Sequence, residues 1–358
     1  MIAALRPGRL TVNGLLAALV VLAALLGPRF LTRFSTIDVL TTAGVFAMFA
    51  ASWDILSGYT GQENFGHAAF IGAGGFTVGL LTKYADVPVE VSMLAAAAIA
   101  GLLGLVIGIP ALRLRGPYLA LATLAAAAAL LRLAFIFKPQ TGGEEGISGL
   151  AKLGDGALLG PIGRGAARIF YGDVGGLNRL NEASIVNYYV VLLAATSMVA
   201  VLAAYGASKR GLLLRSIQQD ETAALASGVS TASLKVAAFV VSSTLAGIAG
   251  SLWVHTLTQV NIDTLRVDLS LLIIVMAVIG GAGSIVGPAI GAVIIVLLQD
   301  LVLDRLGIDP GSQVKPMLFS ALLIVVMIVR PKGLVVPLLR RLSGRAVIAR
   351  ARPEGADG

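Results

Sequence analysis

The residues with the most reactive side chains lie in one glycine-rich stretch, Ser57–Gly79, with the sequence SGYTGQENFGHAAFIGAGGFTVG. It holds the phenol of Tyr59, the carboxylate of Glu63, the amide of Asn64 and the imidazole of His67, and long apolar runs flank it on both sides. Carboxylates and imidazoles can exchange protons or bind polar solutes. The stretch is therefore predicted to be a loop reached by water or the wall of a path through a membrane, although His67 alone is equally consistent with a packed, hydrogen-bonded histidine.

Catalysis and metal binding are not favoured by the other polar residues. The chain has no cysteine and 2 histidines, His67 and His255, which excludes thiolate sites and a dense metal centre. No nucleophile, base and orienting group form a recognisable set, and the phosphate-binding pattern Gly-x-x-x-x-Gly-Lys-Ser/Thr does not occur. The sequence predicts a protein that is not an enzyme and has no cofactor or metal of its own.

The composition indicates that lipid covers much of the surface. The 358 residues are 57% hydrophobic and 13% charged, whereas soluble domains have about 25% charged residues. The net charge of +8 does not indicate nucleic-acid binding, because its basic residues do not cluster on a soluble module. A polytopic membrane protein is predicted.

The predicted fold is all-α, a polytopic transmembrane helix bundle with about ten membrane-spanning segments. Crossing a hydrocarbon core of ~30 Å takes about 20 residues at ~1.5 Å per residue. The glycine-rich third and eighth segments are expected to be broken or re-entrant, and the first to be a retained span rather than a cleaved signal peptide. The segments are 10–30, 36–57, 64–82, 89–110, 117–137, 187–206, 233–255, 268–282, 285–302 and 316–330.

Charge distribution predicts the orientation and the domain limits. An even number of spans places both termini on one side, and the basic residues from Arg330 onward place that side in the cytoplasm. Loop 207–232 is then cytoplasmic and loop 138–186 lies outside. The predicted regions are an N-terminal cytoplasmic segment with the first helix (1–35), the transmembrane domain (36–340), and a basic, disordered cytoplasmic tail (341–358).

Two charged residues are predicted at or within spans. A charge there costs about 2.5–3.5 kcal/mol on insertion scales. Asp54 and Arg132 are expected to reach an interface or to pair structurally.

Glycines at four-residue spacing predict close helix packing. Gly283, Gly287 and Gly291 would share one helix face and let another backbone approach. Gly104 and Gly108 repeat the pattern. The groove could serve packing within the chain or form a seam against a second subunit.

Loop 207–232 contains a predicted short helix. Ser216–Gln219 is interpreted as a capping box, Glu221 lies in the first turns, and Gly228 is a suitable residue just past the end. This alanine-rich helix is either a plain connector or a knob that docks on a soluble partner.

Five segments, in order, resemble the inner-membrane permeases of branched-chain amino acid ABC importers, specifically the longer of the two paired permease subunits. The similarity covers roughly residues 36–340, with Asn64 where the family usually has serine. The segments are Gly58–Phe70, Arg115–Thr123, Thr141–Gly149, Leu272–Gly291 and Arg330–Leu334.

The resemblance implies roles for particular residues. Loop 207–232 would carry the element that couples to the ATPase, comprising Glu221, Ala223, Ala224 and Gly228, with the acid one place upstream of its general position. The candidate translocation path comprises Tyr59, Glu63, Asn64, His67 and Thr123.

The resemblance also implies partners: a second homologous permease subunit, two ATP-binding cassette subunits that use ATP and magnesium, and a periplasmic substrate-binding protein. The expected location is the bacterial inner (plasma) membrane. The expected solutes are leucine, isoleucine, valine or related amino acids.

Two alternatives stay open. The same motifs are found in permeases for urea and short-chain amides. An ion-driven secondary transporter is the other alternative, and internal inverted repeats would favour it.

Segment 151–184 is predicted to be a polar, glycine-rich loop with one amphipathic piece, Ala166–Tyr171. Loops longer than about 15 residues are usually functional or disordered. The hypothesis is that this loop contacts the binding protein.

Overall fold

The computed structural model of the chain describes residues 24–30, 34–114, 116–172 and 179–306. Of the predicted first span, only 24–30 is described, and it is helical. The predicted tenth span, 316–330, and the tail 341–358 lie outside the described residues. The helices are α1 Phe34–Asp54, α2 Ser57–Thr60, α3 His67–Tyr84, α4 Val89–Ala111, α5 Pro117–Ile136, α6 Lys138–Thr141, α7 Leu159–Phe170, α8 Arg179–Ala207, α9 Lys209–Gln219, α10 Glu221–Ala226, α11 Thr231–Leu257, α12 Val267–Gly280 and α13 Val286–Leu306.

The all-α membrane bundle predicted from hydropathy is confirmed. Within the described ranges, 5 helical segments are long and apolar enough to cross a membrane. Shorter apolar helices occur at Val267–Gly280 and Val286–Asp300. The 5 segments are Phe34–Thr60, Val89–Ala111, Pro117–Ile136, Leu180–Ala207 and Thr231–Leu257.

Helix α11 lies at the centre of the bundle and packs on α1, α3 and α4. Small residues permit this packing, because a Cβ on Gly104 would collide with Ser243 and one on Gly247 would collide with Ala100. Close approach through small residues is how membrane helices gain packing energy without a hydrophobic driving force. The Gly104–Gly108 pattern therefore serves packing within the chain, and Gly108 faces Phe239.

The predicted eighth span is broken, as its glycines suggested. Helix α12 has 14 residues, which reach about 21 Å and fall short of a ~30 Å hydrocarbon core. It ends at Gly280, and a loop with positive φ at Gly283 (82°) and Ile285 (58°) leads into α13. We call residues 281–285 the glycine loop.

The glycines expected on one helix face have two different positions. Gly287 and Gly291 lie on α13 and face the backbone of α12, where a Cβ on Gly291 would collide with the carbonyl of Met276. Gly283 does not share that face, because it precedes the first residue of α13 and lies in the glycine loop.

The two long loops lie at opposite ends of α11. At one end, strands β1 (Ile147–Ser148) and β2 (Gln259–Val260) form an antiparallel pair. At the other end, α9 and α10 precede Thr231, and the 27 residues of α11 separate the two ends by about 40 Å. We call these the sheet end and the α9–α10 end. The described parts of loops 138–186 and 207–232 thus lie at opposite ends of α11.

The described residues of segment 151–184 contain more helix than predicted. The amphipathic piece Ala166–Tyr171 belongs to a 12-residue helix, α7, that packs against α8. The interpretation of 159–165 as loop is therefore wrong, and so is that of 179–184, which form the start of α8. Gly160 and Gly163 favour a loop in a prediction from sequence. In the structure both are buried in the helix, and a Cβ on Gly163 would press on Val186 and Val190.

Candidate functional site

A buried group of polar side chains lies where α1 ends and α3 begins. The chain is not helical over 61–66, and a Cβ on Gly66 would collide with the carbonyl of Thr123 on α5. We call this group the polar junction. Its members are Ser52, Asn64, His67, Thr123, Ser242 and Ser270, all buried.

The polar junction lies well inside the bundle. The hydroxyl of Ser242 donates to the carbonyl of Ser52 at 2.6 Å, and Ser242 lies about 16 Å along α11 from Thr231. At that depth, non-helical backbone persists only where protein or water satisfies its polar groups.

Side chains from other helices satisfy the backbone of this break. The N–H of Phe65 donates to Thr123 Oγ1 at 3.1 Å, and the N–H of Ala68 donates to Ser270 Oγ at 2.8 Å. The indole of Trp53 donates to the carbonyl of Asn64 at 2.8 Å. One N–H in the first turn of α3 and two backbone groups of the break thus have side-chain partners, and the break is a built feature of the bundle.

Two polar atoms of the junction, Nδ2 of Asn64 and Nδ1 of His67, have no hydrogen-bond partner among the residues that the structure describes. His67 is fully buried, and its Nε2 lies 3.0 Å from the hydroxyl of Ser52. The Asn64 Oδ1 accepts from the N–H of Gly66 at 3.0 Å. Buried polar atoms are nearly always paired, so unpaired ones mark a place where water or a polar solute can bind.

The structure separates the five residues of the candidate path. Asn64, His67 and Thr123 belong to the polar junction. Glu63 is exposed. Tyr59 is buried on α2, where it contacts Arg215 of α9 rather than His67.

Asp54, at the end of α1, has a more specific environment than the sequence indicated. It is 0% exposed, and its carboxylate accepts from the N–H of Gly283 at 2.6 Å and from the N–H of Ile285 at 2.8 Å. It therefore pairs structurally, as expected, but with backbone donors of the glycine loop. The sequence placed an acidic residue at the end of a span and predicted a second glycine-rich break elsewhere in the chain. It did not indicate that the two are in contact. Arg132 is exposed on α5.

The helices of loop 207–232 begin at different residues from those predicted. Ser216 lies inside α9, which starts after Ser208, so the capping box at Ser216–Gln219 is wrong. The cap of α10 is Asp220, whose Oδ1 accepts from the N–H of Thr222 at 2.8 Å and of Ala223 at 3.0 Å. An aspartate fits this position because it satisfies two orphan donors and its charge suits the helix dipole.

The end of α10 follows the sequence prediction. Gly228 has φ 82° and donates to the carbonyl of Leu225 at 3.0 Å, and Val229 donates to the carbonyl of Ala224 at 3.1 Å. This pair of bonds is the Schellman arrangement, which places a glycine just past the helix end.

The residues of α10 face in two directions. Glu221 forms an ion pair with Lys235 of α11 at 2.7 Å, and the Lys235 side chain is only 6% exposed. Ala224 is buried, whereas Ala223 and Leu225 are exposed. The helix is thus fixed to α11 by one side and presents a small-residue surface with one leucine on the other.

Replacing Glu221 with glutamine is expected to lower the free energy of unfolding by about 1–3 kcal/mol, because Lys235 would be left buried without its counter-ion. Thermal unfolding of the purified protein measures this change. The double variant Glu221→Gln/Lys235→Met should recover most of the loss, and Lys209→Met, at an exposed lysine, serves as the control. A Glu221→Gln variant as stable as the unmodified chain would show that the ion pair contributes nothing.

The fold and the site together define a class of protein: a multi-pass helical membrane protein with broken helices, a buried polar junction and an exposed short helix between two spans. Residues 35–330 match a family described as the permease component of the branched-chain amino acid transport system. The chain belongs to this family, whose members are transport permease subunits rather than enzymes.

Two similar proteins are both named high-affinity branched-chain amino acid transport system permease protein LivM. The protein from Salmonella typhimurium is 26% identical over 325 residues, covering 88% of this chain and 74% of the relative. The protein from Escherichia coli is 27% identical over 310 residues, covering 85% and 71%. No solved structure is significantly similar to the chain.

Proposed function

We propose that this chain is the longer permease subunit of a binding-protein-dependent ABC importer in the bacterial inner membrane. It would carry leucine, isoleucine, valine or related amino acids, with energy from partner ATPase subunits that use ATP and magnesium. The observation that carries the proposal is the match of residues 35–330 to the permease component of the branched-chain amino acid transport system. The partners would be a second homologous permease, two ATPase subunits and a periplasmic binding protein.

The geometry of α10 supports coupling to an ATPase. An exposed helix of 6 residues, capped at both ends and fixed to α11 through Glu221, can transmit a push without unfolding. Ala223 and Leu225 form the surface that would dock on the ATPase, because both are exposed. Ala224 would act by seating α10 on the rest of the chain, and Gly228 by ending the helix.

The polar junction supports a role in the translocation path. Amide and imidazole atoms without partners, buried at the break between α1 and α3, could bind the charged groups of an amino acid as it passes. Asn64, His67 and Thr123 would form this part of the path. Glu63 would lie at its exposed edge, and Tyr59 nearer the α9–α10 end. That end would face the cytoplasm, in agreement with the basic tail.

The proposal is tested by reconstituting the chain in liposomes with the second permease, the two ATPase subunits and the binding protein, and measuring leucine uptake. Uptake is expected only when ATP is on the side of the membrane that holds the ATPase subunits and the binding protein is on the other side. Uptake driven by an ion gradient without ATP would contradict the proposal and favour a secondary transporter. A binding protein that takes urea or acetamide, and not leucine, would favour the amide branch instead.

A further inference from the structure

Tyr59 joins two parts of the molecule that are far apart in sequence. It lies on α2 and is 2% exposed. Its hydroxyl packs so closely on Gly206, at the end of α8, that a Cβ there would collide with it. The guanidinium carbon of Arg215, on α9, lies 4.5 Å from the centre of the Tyr59 ring. The ring is thus enclosed by the two helices that lead into α10.

Arg215 also reaches the glycine loop. Its Nη2 donates to the Tyr59 hydroxyl at 2.8 Å and to the carbonyl of Gly283 at 3.3 Å. Gly283 in turn donates its N–H to Asp54. One arginine side chain therefore contacts α2 and the loop between α12 and α13 at the same time.

Helix α2 also packs directly on the glycine loop. Gly58 lies against the Asp54 carboxylate and the N–H of Gly283, where a Cβ would collide with both. Helices α9 and α10 are joined by the single residue Asp220. A displacement of α10 would therefore move α9, and Arg215 would carry that movement to α2 and to the glycine loop.

Arginine is well suited to such a contact. Its planar guanidinium can stack on an aromatic ring and donate in its own plane, which lysine cannot do. In the part of the chain that the structure describes, the side chains of Lys209 and Arg210 on α9 form no hydrogen bond. The Arg215 side chain forms two, to the Tyr59 hydroxyl and to the Gly283 carbonyl. The contact is also backed by packing, since Leu214 and Ile217 of α9 are buried.

We propose that Arg215, Tyr59 and the carbonyl of Gly283 form a permanent link. The link transmits movement of α10 to the C-terminal ends of α1 and α12 and to the N-terminal end of α13. Arg215 is a positioning residue for transport, and the link stays closed through the cycle. This inference rests on the proposed function, in which an ATPase moves α10.

The first test compares variants in the complete reconstituted importer. Arg215→Ala is expected to lower leucine uptake roughly tenfold while ATP hydrolysis stays within about twofold of the unmodified complex. The reason is that the ATPase and the translocation path would lose the free energy that couples them. Arg215→Lys should be intermediate, and Tyr59→Phe should show a smaller loss, since the ring remains. Arg113→Ala, at an exposed arginine of the α4–α5 turn, should behave as the unmodified complex.

The second test replaces the link with a covalent one. The chain has no cysteine, and a Cβ on Gly61 would lie 3.4 Å from Gln218 Cγ and 3.8 Å from Gln218 Cα. Positions 61 and 218 are therefore in direct contact, as the formation of a disulfide requires. Oxidation of Gly61→Cys/Gln218→Cys should leave uptake unchanged when Arg215 is present and should restore uptake in the Arg215→Ala background. Gly61 has a φ of 70°, which disfavours any residue with a side chain. Uptake by the reduced double-cysteine variant therefore shows how much this strain alone lowers transport.

Three outcomes would overturn the link. Normal coupling in Arg215→Ala would show that the contact transmits nothing. Loss of uptake on oxidation with Arg215 present, reversed by reduction, would show that the contact must open in each cycle. Failure of the disulfide to restore Arg215→Ala would assign that residue another role. If the unmodified complex shows no ATP-dependent uptake, the proposed function itself fails and the link fails with it.

Discussion

Replacing Ala223 with arginine is expected to lower ATP-driven leucine uptake at least about tenfold, because a long cation would occupy the exposed surface of α10 that docks on the ATPase. Loss of a hot-spot contact at the centre of an interface costs about 2 kcal/mol or more, which is about thirtyfold in affinity. The chain should still insert and fold, since Ala223 is exposed. Uptake in proteoliposomes and the yield of assembled complex measure the two effects.

The matched control is Ala232→Arg, the same change at an exposed residue of the first turn of α11. It adds the same charge at the same end of the bundle but lies outside α10, so uptake should change less than about twofold. Ala224→Arg should differ from both, because Ala224 is buried and its replacement would lift α10 from the chain and lower stability as well. Equal uptake by Ala223→Arg and the unmodified complex would show that this surface does not dock on the ATPase.

Replacing Asp54 with alanine is expected to lower the free energy of unfolding by about 2–6 kcal/mol, from about 1–3 kcal/mol for each buried donor that loses its acceptor. The two donors are the N–H groups of Gly283 and Ile285. No water is expected to replace the carboxylate fully, because Asp54 is 0% exposed. The midpoint of thermal unfolding of the purified complex should fall by about 5–15 °C.

Asp38 provides the control for this change, since it lies on the same helix and is exposed. Asp38→Ala should leave the midpoint within about 2 °C, as surface substitutions usually do. Asp54→Asn should be intermediate, because the amide keeps one acceptor but turns its NH₂ group toward the other donor. If Asp54→Ala unfolds at the same temperature as Asp38→Ala, the carboxylate does not hold the glycine loop.

The parts of the fold that depend on hydropathy could be predicted from sequence. A long apolar run has one solution in lipid, a helix, so α4, α5 and α11 appear close to their predicted limits, whereas α8 begins at Arg179 rather than at the predicted position 187. The end of α10 was also predictable, because a glycine at position 228 has a specific reason to follow a helix. The breaks before His67 and after Gly280 were predictable as breaks from their glycines.

The partners of polar groups could not be predicted in the same way. Asp54 and Gly283 are separated by 229 positions along the chain, and local patterns do not report such contacts. At Ser216, the capping-box pattern was present by chance inside a helix, and Asp220 made the actual cap. Tyr59 and His67 are close in sequence, but the break between them directs one to α9 and the other to the polar junction.

The central claim is that a separate ATPase drives this permease through α10, and site-specific crosslinking tests it most directly. Because the chain has no cysteine, Ala223→Cys can carry a thiol-specific photo-crosslinker in the assembled importer, with Ala85→Cys at the sheet end as the control. An adduct with the ATPase subunit is expected from position 223 and not from position 85. An ATPase adduct from position 85 with none from position 223 would contradict the account.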